Sequence, residues 1–235
     1  KEKFIEGFRI DHIDGLQDPA QYIRSLRQLM GDSCYIIAEK ILEAKEDMPA
    51  QWPLQGTSGY EFLSFLNQLL TYRKGAKELL TYYQELVPNL PPYRRLIFDS
   101  KKLILENYIS GEWENLAHLF RASGLTGGHE DHRIKQALGF FMLSLPVYRI
   151  YPDRLPLRGS SLLIIHEAFD KALREAPEFS EELTYLRTLF TSSPEDESLR
   201  DKVLGFLKRL MQFTGPLTAK GVEDTTFYIY NPLIS

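Results

Sequence analysis

The apolar positions near the start of the chain change period twice. Phe8 and Ile10 alternate with polar neighbours, residues 22–29 have helical spacing, and residues 35–38 form a continuous apolar run. Alternation and short apolar runs are typical of strands, whereas apolar residues three and four apart are typical of a helix. The pattern predicts a strand, a helix and a second strand, which is the repeating unit of a parallel sheet.

From Tyr60 to about Phe213 the apolar positions follow a helical period in nearly every segment. Proline, glycine and serine clusters interrupt this period at residues 88–92, 124–128, 152–159 and 192–194. These interruptions predict seven or eight helices. Pro146 is expected to end or kink the helix that precedes it and to expose Tyr148 and Arg149.

Composition excludes several classes of protein. The chain has 235 residues, 43% hydrophobic content and a net charge of −4, so it can form one large core or two modest ones. The balanced charge argues against nucleic acid as a partner, and no apolar run is long enough to span a membrane. The N-terminus lacks the layout of a signal peptide, so we expect a cytoplasmic protein. Cys34 is expected to be a packed thiol.

Two carboxylates, Asp11 and Glu39, follow the two predicted strands directly. Arg9 precedes Asp11 by two residues, which places both side chains on one face of a strand, where the guanidinium would keep the carboxylate ionised. Glu39 follows an apolar run and could donate a proton. These three residues are the catalytic candidates, because a pair of Asp and Glu side chains at the carboxyl ends of parallel strands is what glycosidic bond chemistry requires. The alternatives are a salt bridge at a strand end for Arg9 with Asp11, and a helix cap for Glu39.

Aromatic and glycine residues follow the second strand. Trp52 and Tyr60 are candidate stacking surfaces for a sugar ring, because pyranose rings present flat C–H faces. Ser58 with Glu61 three residues later also fits a capping box, and the two interpretations are compatible.

The loop after the first strand carries His12 and Asp14, which could contact a sugar or bind each other. Asp14 with Gly15 also fits a turn in which Gly15 supplies a positive φ. His129 and His132 have a spacing that could share a metal ion, but the acidic residues between them are explained by a helix N-terminus, so we expect no metal.

Several segments carry a family resemblance. Residues 8–11 (FRID) resemble the fourth-strand motif of the alpha-amylase superfamily, and residues 38–40 (AEK) resemble its fifth-strand motif with the general acid. Within that superfamily, five longer segments of the sequence resemble the maltooligosyltrehalose synthase family. The segments that carry this resemblance are RIDHIDGL, AEKIL, WPLQGTSGYEFL, PVYRIY and GPLTAKGVEDTTFYIYNPL, in that order.

The resemblance implies a mainly α chain, with a helical insertion subdomain and part of a (β/α)8 TIM barrel, namely strands four and five. The implied divisions are a partial barrel at residues 1–59, a helical subdomain at 60–213 and a return to the barrel at 214–235. A whole barrel needs about 250 residues. We therefore expect the remaining strands, and the third carboxylate of the superfamily, to lie outside this chain.

The resemblance also implies an activity, that of a (1→4)-α-D-glucan 1-α-D-glucosylmutase. Such an enzyme converts the reducing-end α-1,4 linkage of a maltooligosaccharide into an α,α-1,1 linkage, with retention of configuration and without a cofactor. Lys40, Arg149, Lys220 and His12 are the implied substrate-side residues. The alternatives are a loop-stabilising hydrogen bond for His12, a packing role for Arg149 and a surface loop of mixed charge for Lys220. We expect the fragment alone to be inactive. The alternatives are another hydrolase or transglycosidase of the superfamily, and a non-catalytic helical module.

Overall fold

A small parallel sheet begins the chain. The computed structural model describes residues 5–43 and 46–232. Strand β1 (Gly7–Ile10), helix α1 (Pro19–Met30) and strand β2 (Tyr35–Ala38) follow one another, and the two strands pair in parallel with Ile10 opposite Ala38. The predicted strand–helix–strand unit is confirmed.

Capping residues in the sequence set both ends of helix α1. The Asp18 carboxylate accepts a hydrogen bond from the Gln21 amide at 2.9 Å, and Pro19 occupies the first turn, where no amide hydrogen is needed. Gly31 ends the helix at φ 83°. The helix covers the sheet through Ile23, which is fully buried.

A third strand, β3 (Gly56–Thr57), pairs in parallel with β2 on the side opposite β1. The sequence pattern does not predict this strand, since two residues are too few to show a period. The expected capping box on Ser58 is wrong. Gly59 holds the cap position at φ 90°, and the Thr57 hydroxyl accepts from the Gly59 amide at 3.1 Å and donates to the Glu61 carboxylate.

The rest of the chain is mainly helical, as predicted. Its long helices are α2 (Tyr60–Leu70), α3 (Arg73–Leu86), α4 (Tyr93–Asn107), α5 (Ser110–Ala122), α6 (Asp131–Ser144), α7 (Gly159–Glu175), α8 (Ser180–Thr191) and α9 (Glu197–Thr218). All four predicted interruptions fall between helices. Pro146 lies two residues beyond the end of α6, which confirms that the helix ends before this proline.

Helices α4 to α9 enclose the main apolar core, which contains the fully buried rings of Phe120, Phe141, Phe169 and Phe190. Helices α2 and α3 contribute no buried residue, and Phe62 and Leu69 are mostly exposed. The helical period therefore predicts these two helices correctly, but it does not predict that their apolar residues stay exposed. Cys34 is buried, as expected.

Helix α9 continues as a π-helix over Ala219–Thr226 and then a short turn, α10 (Phe227–Ile229). The predicted division between residues 213 and 214 falls inside α9. Two threonines support the wider turn, because the Thr225 hydroxyl donates to the Lys220 carbonyl and the Thr226 hydroxyl to the Gly221 carbonyl, each at 2.8 Å. Short π-helical turns occur often at functional sites.

Candidate active site

The parallel register brings Asp11 and Glu39 side by side. Ile10 and Ala38 are partners, so the residues that follow them leave the sheet at the same edge. The Glu39 amide donates to the Ile10 carbonyl at 2.7 Å and extends the pairing by one step. The carboxyl ends of parallel strands are where α/β folds place their active sites.

Arg9 bridges the two carboxylates. Its Nη1 lies 2.5 Å from Asp11 Oδ1, and its Nη2 lies 3.2 Å from Glu39 Oε1. The hydrogen bond from Arg9 holds the pKa of Asp11 below its usual value, and the same bond raises the pKa of Arg9. Asp11 is thus an ionised, 70% exposed carboxylate, whereas the Glu39 side chain is only 24% exposed.

Glu39 has two further donors. The His12 amide donates to Oε2 at 2.8 Å, and the Tyr60 hydroxyl donates to Oε1 at 3.3 Å. Burial, followed by the charge of Glu39, raises the pKa of the Tyr60 hydroxyl, so that it stays a donor. The structure therefore gathers Arg9, Asp11, His12, Glu39 and Tyr60 at one edge of the sheet.

His12 adopts a left-handed backbone conformation, with φ and ψ both 48°. The expected positive φ at Gly15 is wrong, because the backbone of Gly15 does not have a positive φ. Gly15 serves close packing: a side-chain carbon at this position would overlap the imidazole of His12.

Lys40 lies beneath the loop that follows β1 and does not face solvent. Its side chain is fully buried, with Nζ 2.9 Å from Glu46 and 3.4 Å from Asp14. The rings of Tyr148 and Tyr151 lie 5.7 and 5.6 Å from the same nitrogen. A buried ammonium offers no face to a sugar, so the expected direct contact of Lys40 with substrate is corrected to an internal ion pair.

Trp52 is also buried, at 6% exposure, and its ring packs edge-on against Tyr151 with 4.6 Å between the ring centroids. The expected sugar platform at Trp52 is therefore corrected to a core contact, because no ring face remains free for stacking. Tyr60, the other platform candidate, is 40% exposed beside Glu39.

Arg149 is the largest fully buried side chain of the described chain, at 1% exposure. Its guanidinium donates to the carbonyl oxygens of Asp14 at 2.7 Å and of Leu16 at 2.6 Å. Burial lowers the pKa of Arg149. The expected exposure of Arg149 and Tyr148 beyond Pro146 is wrong, and Arg149 contacts the loop after β1 rather than solvent.

Lys220 lies on the π-helix with its side chain largely exposed and its Nζ 2.5 Å from Asp224. That pair raises the pKa of Lys220. Glu223, which directly precedes Asp224, accepts a hydrogen bond from the Tyr148 hydroxyl. The π-helix therefore adjoins the segment that holds Lys40 and Arg149.

Sequence reasoning did not single out two buried or half-buried groups, Glu46 and Tyr151, which are neighbours of Asp14 and Lys40. The Tyr151 hydroxyl donates to Asp14, and burial raises the pKa values of Tyr151 and of Glu46. We call Lys40, Asp14, Glu46, Arg149 and Tyr151 the loop anchor. The repeated aromatic residues around Arg149 were the available signal, since cations are often buried between tyrosine rings.

The candidate metal histidines have other neighbours. His129 lies 3.6 Å from Glu182 and against the ring of Tyr185, and His132 lies 3.2 Å from Glu130. Over residues 5–43 and 46–232, no three potential metal ligands converge. Within the same ranges, every helix is too short or too polar to cross a bilayer.

Comparison with known proteins shows similarity to one class, the maltooligosyltrehalose synthases. The chain is 25% identical over all of its 235 residues to a putative maltooligosyl trehalose synthase of Mycobacterium tuberculosis, of which it covers 28%. No protein-family model matches the chain.

Solved structures agree. Maltooligosyltrehalose synthase from Arthrobacter ramosus superimposes with a TM-score of 0.81 at 30% identity, over 97% of this chain and 27% of that one. A hypothetical maltooligosyl trehalose synthase of Sulfolobus tokodaii gives 0.68 at 27% identity, over 98% and 27%. The resemblance to maltooligosyltrehalose synthase is confirmed, and this chain spans about a quarter of the length of those relatives.

Proposed function

We propose that this chain forms part of the active site of a longer enzyme that converts the reducing-end α-1,4 linkage of maltooligosaccharides into an α,α-1,1 linkage. The observation that carries the proposal is the bridge from Arg9 to Asp11 and Glu39 at the carboxyl ends of two parallel strands. The similarity to named maltooligosyltrehalose synthases supports the choice of substrate. We refer to the longer protein as the intact enzyme.

The proposal assigns β1 and β2 to strands four and five of an alpha-amylase-like barrel. Their parallel pairing, with a helix between them and carboxylates at their ends, supports this assignment. The helical part is proposed as an insertion after strand five, with the residues beyond 213 leading back to the barrel. The third carboxylate would come from the rest of the intact enzyme, and a cytoplasmic location is part of the same proposal.

In the first step, Asp11 attacks the anomeric carbon of the terminal linkage, and Glu39 donates its proton to the departing glycosidic oxygen. The bond between that carbon and oxygen breaks, and a covalent bond to Asp11 forms. Arg9 supports this step, because its positive charge keeps Asp11 ionised. The carboxyl separation of about 5–5.5 Å that retention requires stays a prediction.

In the second step, the released glucose turns and presents its anomeric hydroxyl to the intermediate. Glu39, now a carboxylate, takes the hydroxyl proton, the new glycosidic bond forms and Asp11 leaves as a carboxylate. Attack by water at this stage gives hydrolysis instead. Exclusion of water therefore decides the product, and we propose that the helical part covers the site for this purpose. No cofactor is needed for either step.

Tyr60 and Lys220 are the proposed sugar contacts. Tyr60 has a partly exposed ring, and its hydroxyl donates a hydrogen bond to Glu39. Lys220 is an exposed cation on the π-helix. His12 directly follows Asp11, and its backbone amide donates to Glu39. Its candidate roles, sugar contact by the ring and support of Glu39 by the backbone, are distinguishable by substitution.

Product analysis tests the proposal. The intact enzyme is incubated with a maltooligosaccharide, and reducing ends are counted against total sugar. We expect reducing ends to fall while chain length is conserved. A rise in reducing ends would instead support a hydrolase of the same superfamily, whereas a constant number of reducing ends with a redistribution of chain lengths would support a transglycosidase.

The second alternative, a non-catalytic helical module, is tested with Asp11→Asn. Unchanged turnover in the intact enzyme would favour the module. Calorimetric titration of the chain alone with maltooligosaccharide should give no measurable binding, because most of the proposed barrel is absent from it. Micromolar affinity would overturn the claim that the other strands are required.

A further inference from the structure

His12 is the one residue other than glycine with a positive φ in the ranges 5–43 and 46–232. The left-handed conformation costs about 1–2 kcal/mol for a residue with a side chain. Such a conformation persists only where surrounding contacts impose it, and it is concentrated at functional sites.

The conformation aims a backbone donor at Glu39. The His12 amide lies 2.8 Å from Oε2, whereas Arg9 and Tyr60 both contact Oε1. The amide is therefore the only donor recorded for Oε2 within the described chain, and it fixes the rotation of the carboxyl group about its last bond.

Contacts from distant parts of the chain hold the loop in this state. The Gly15 amide donates to the His12 carbonyl at 3.0 Å, and the Gly15 carbonyl accepts from the Gln212 side chain at 2.6 Å. The Arg149 guanidinium donates hydrogen bonds to the carbonyls of Asp14 and Leu16, the two residues that flank Gly15. Helix α9 and the segment after α6 together impose the backbone of residues 12–16.

We propose that His12 is a positioning residue that acts through its backbone: its left-handed conformation aims the amide at Glu39, and its imidazole is dispensable. The inference rests on the proposed function in taking Glu39 as the proton donor and acceptor. It predicts a specific order of substitutions, because asparagine and glycine adopt the left-handed region readily and valine does not.

The test compares His12→Asn, His12→Gly and His12→Val in the intact enzyme, with kcat and KM measured on a maltooligosaccharide and on a maltooligosyl fluoride. The asparagine and glycine variants should keep kcat within about threefold of the wild type. The valine variant should lose roughly 10- to 100-fold in kcat with little change in KM. Its loss should shrink on the fluoride, whose leaving group needs little protonation.

A loss in the glycine variant equal to that of the valine variant, with a raised KM, would overturn the proposal in favour of sugar contact by the ring. Full activity of a folded valine variant would also overturn it. If the valine variant does not fold, His12→Ala replaces it, since alanine also disfavours the left-handed region. Should the wild-type enzyme only hydrolyse its substrate, the proposed function fails, yet the order of these variants in hydrolysis still tests His12.

Discussion

Arg149 donates a hydrogen bond of 2.7 Å to the carbonyl oxygen of Asp14, which lies 135 residues earlier in the chain. Asp14 lies three residues after Asp11. The segment after α6 therefore holds the backbone that leads away from the proposed nucleophile. The helical part and the small sheet are joined through buried polar groups, and such groups are costly to leave unpaired.

Replacement of Arg149 by lysine should destabilise the chain although the charge is kept. Lysine cannot reach two carbonyls with a planar fork, so at least one acceptor loses its donor. We expect the free energy of unfolding in urea to fall by about 2–4 kcal/mol. Arg158→Lys, at an exposed position, is the control and should change little. Equal stability of the two variants would contradict the assignment of Arg149 to the loop anchor.

Asp11→Asn should lower turnover of the intact enzyme by about three to four orders of magnitude, because an amide cannot form the covalent intermediate. Steady-state kinetics with a maltooligosaccharide measures the loss. The control is Asp32→Asn, at an exposed position between α1 and β2. A near-normal rate for Asp11→Asn would remove Asp11 from the mechanism.

Glu39→Gln should lose much less activity on substrates whose leaving group needs no proton than on the natural substrate. Glutamine cannot donate to the glycosidic oxygen, but attack by Asp11 on a glycosyl fluoride does not depend on that proton. The measurement is the ratio of kcat/KM for the fluoride and the natural substrate. An unchanged ratio would mean that Glu39 is not the acid.

Tyr60 can be divided into its ring and its hydroxyl. Tyr60→Phe keeps the ring and should lower kcat by only about three- to tenfold, since it removes one hydrogen bond to Glu39. Tyr60→Ala removes both and should also raise KM if the ring stacks on a sugar. Identical KM values for the two variants would exclude the stacking role.

Lys101 should make stability depend on pH. Burial, with repulsion from Lys171, lowers its pKa from 10.5 to about 7. The unfolded chain then binds more protons than the folded chain between those values, so the destabilisation caused by Lys101 is full below pH 7 and is relieved as the pH rises.

Lys101→Met removes this dependence. The free energy of unfolding of the wild type should gain roughly 3 kcal/mol relative to that variant between about pH 7 and pH 9.5, and the contribution of the tyrosines cancels because both proteins contain the same ones. The Leu145 carbonyl loses its donor in the variant, but that cost does not vary with pH. Lys77→Met, at an exposed position, should keep the wild-type slope, and a parallel slope for Lys101→Met would contradict the shifted pKa.

Local rules explain what could be predicted from the sequence. The alternation before Asp11, the apolar run before Glu39 and the helical spacing between them each lie within a dozen residues, so their periods predict the parallel unit. The two-residue spacing of Arg9 and Asp11 likewise predicts their ion pair, because side chains alternate across a strand. The glycine and proline clusters predict where helices stop.

Only the tertiary structure decided which polar and aromatic groups are buried. Lys40, Trp52 and Arg149 were expected to face a substrate, yet each lies against a residue that folding brings from a distant part of the chain: Tyr151 for Lys40 and Trp52, and Asp14 for Arg149. The left-handed backbone of His12 has the same origin, because contacts from Gln212 and Arg149 impose it on the loop. The sequence by itself determined the first two strands, the helices and the carboxylate pair through short-range periodicity. Long-range packing determined which side chains remain free to meet a substrate.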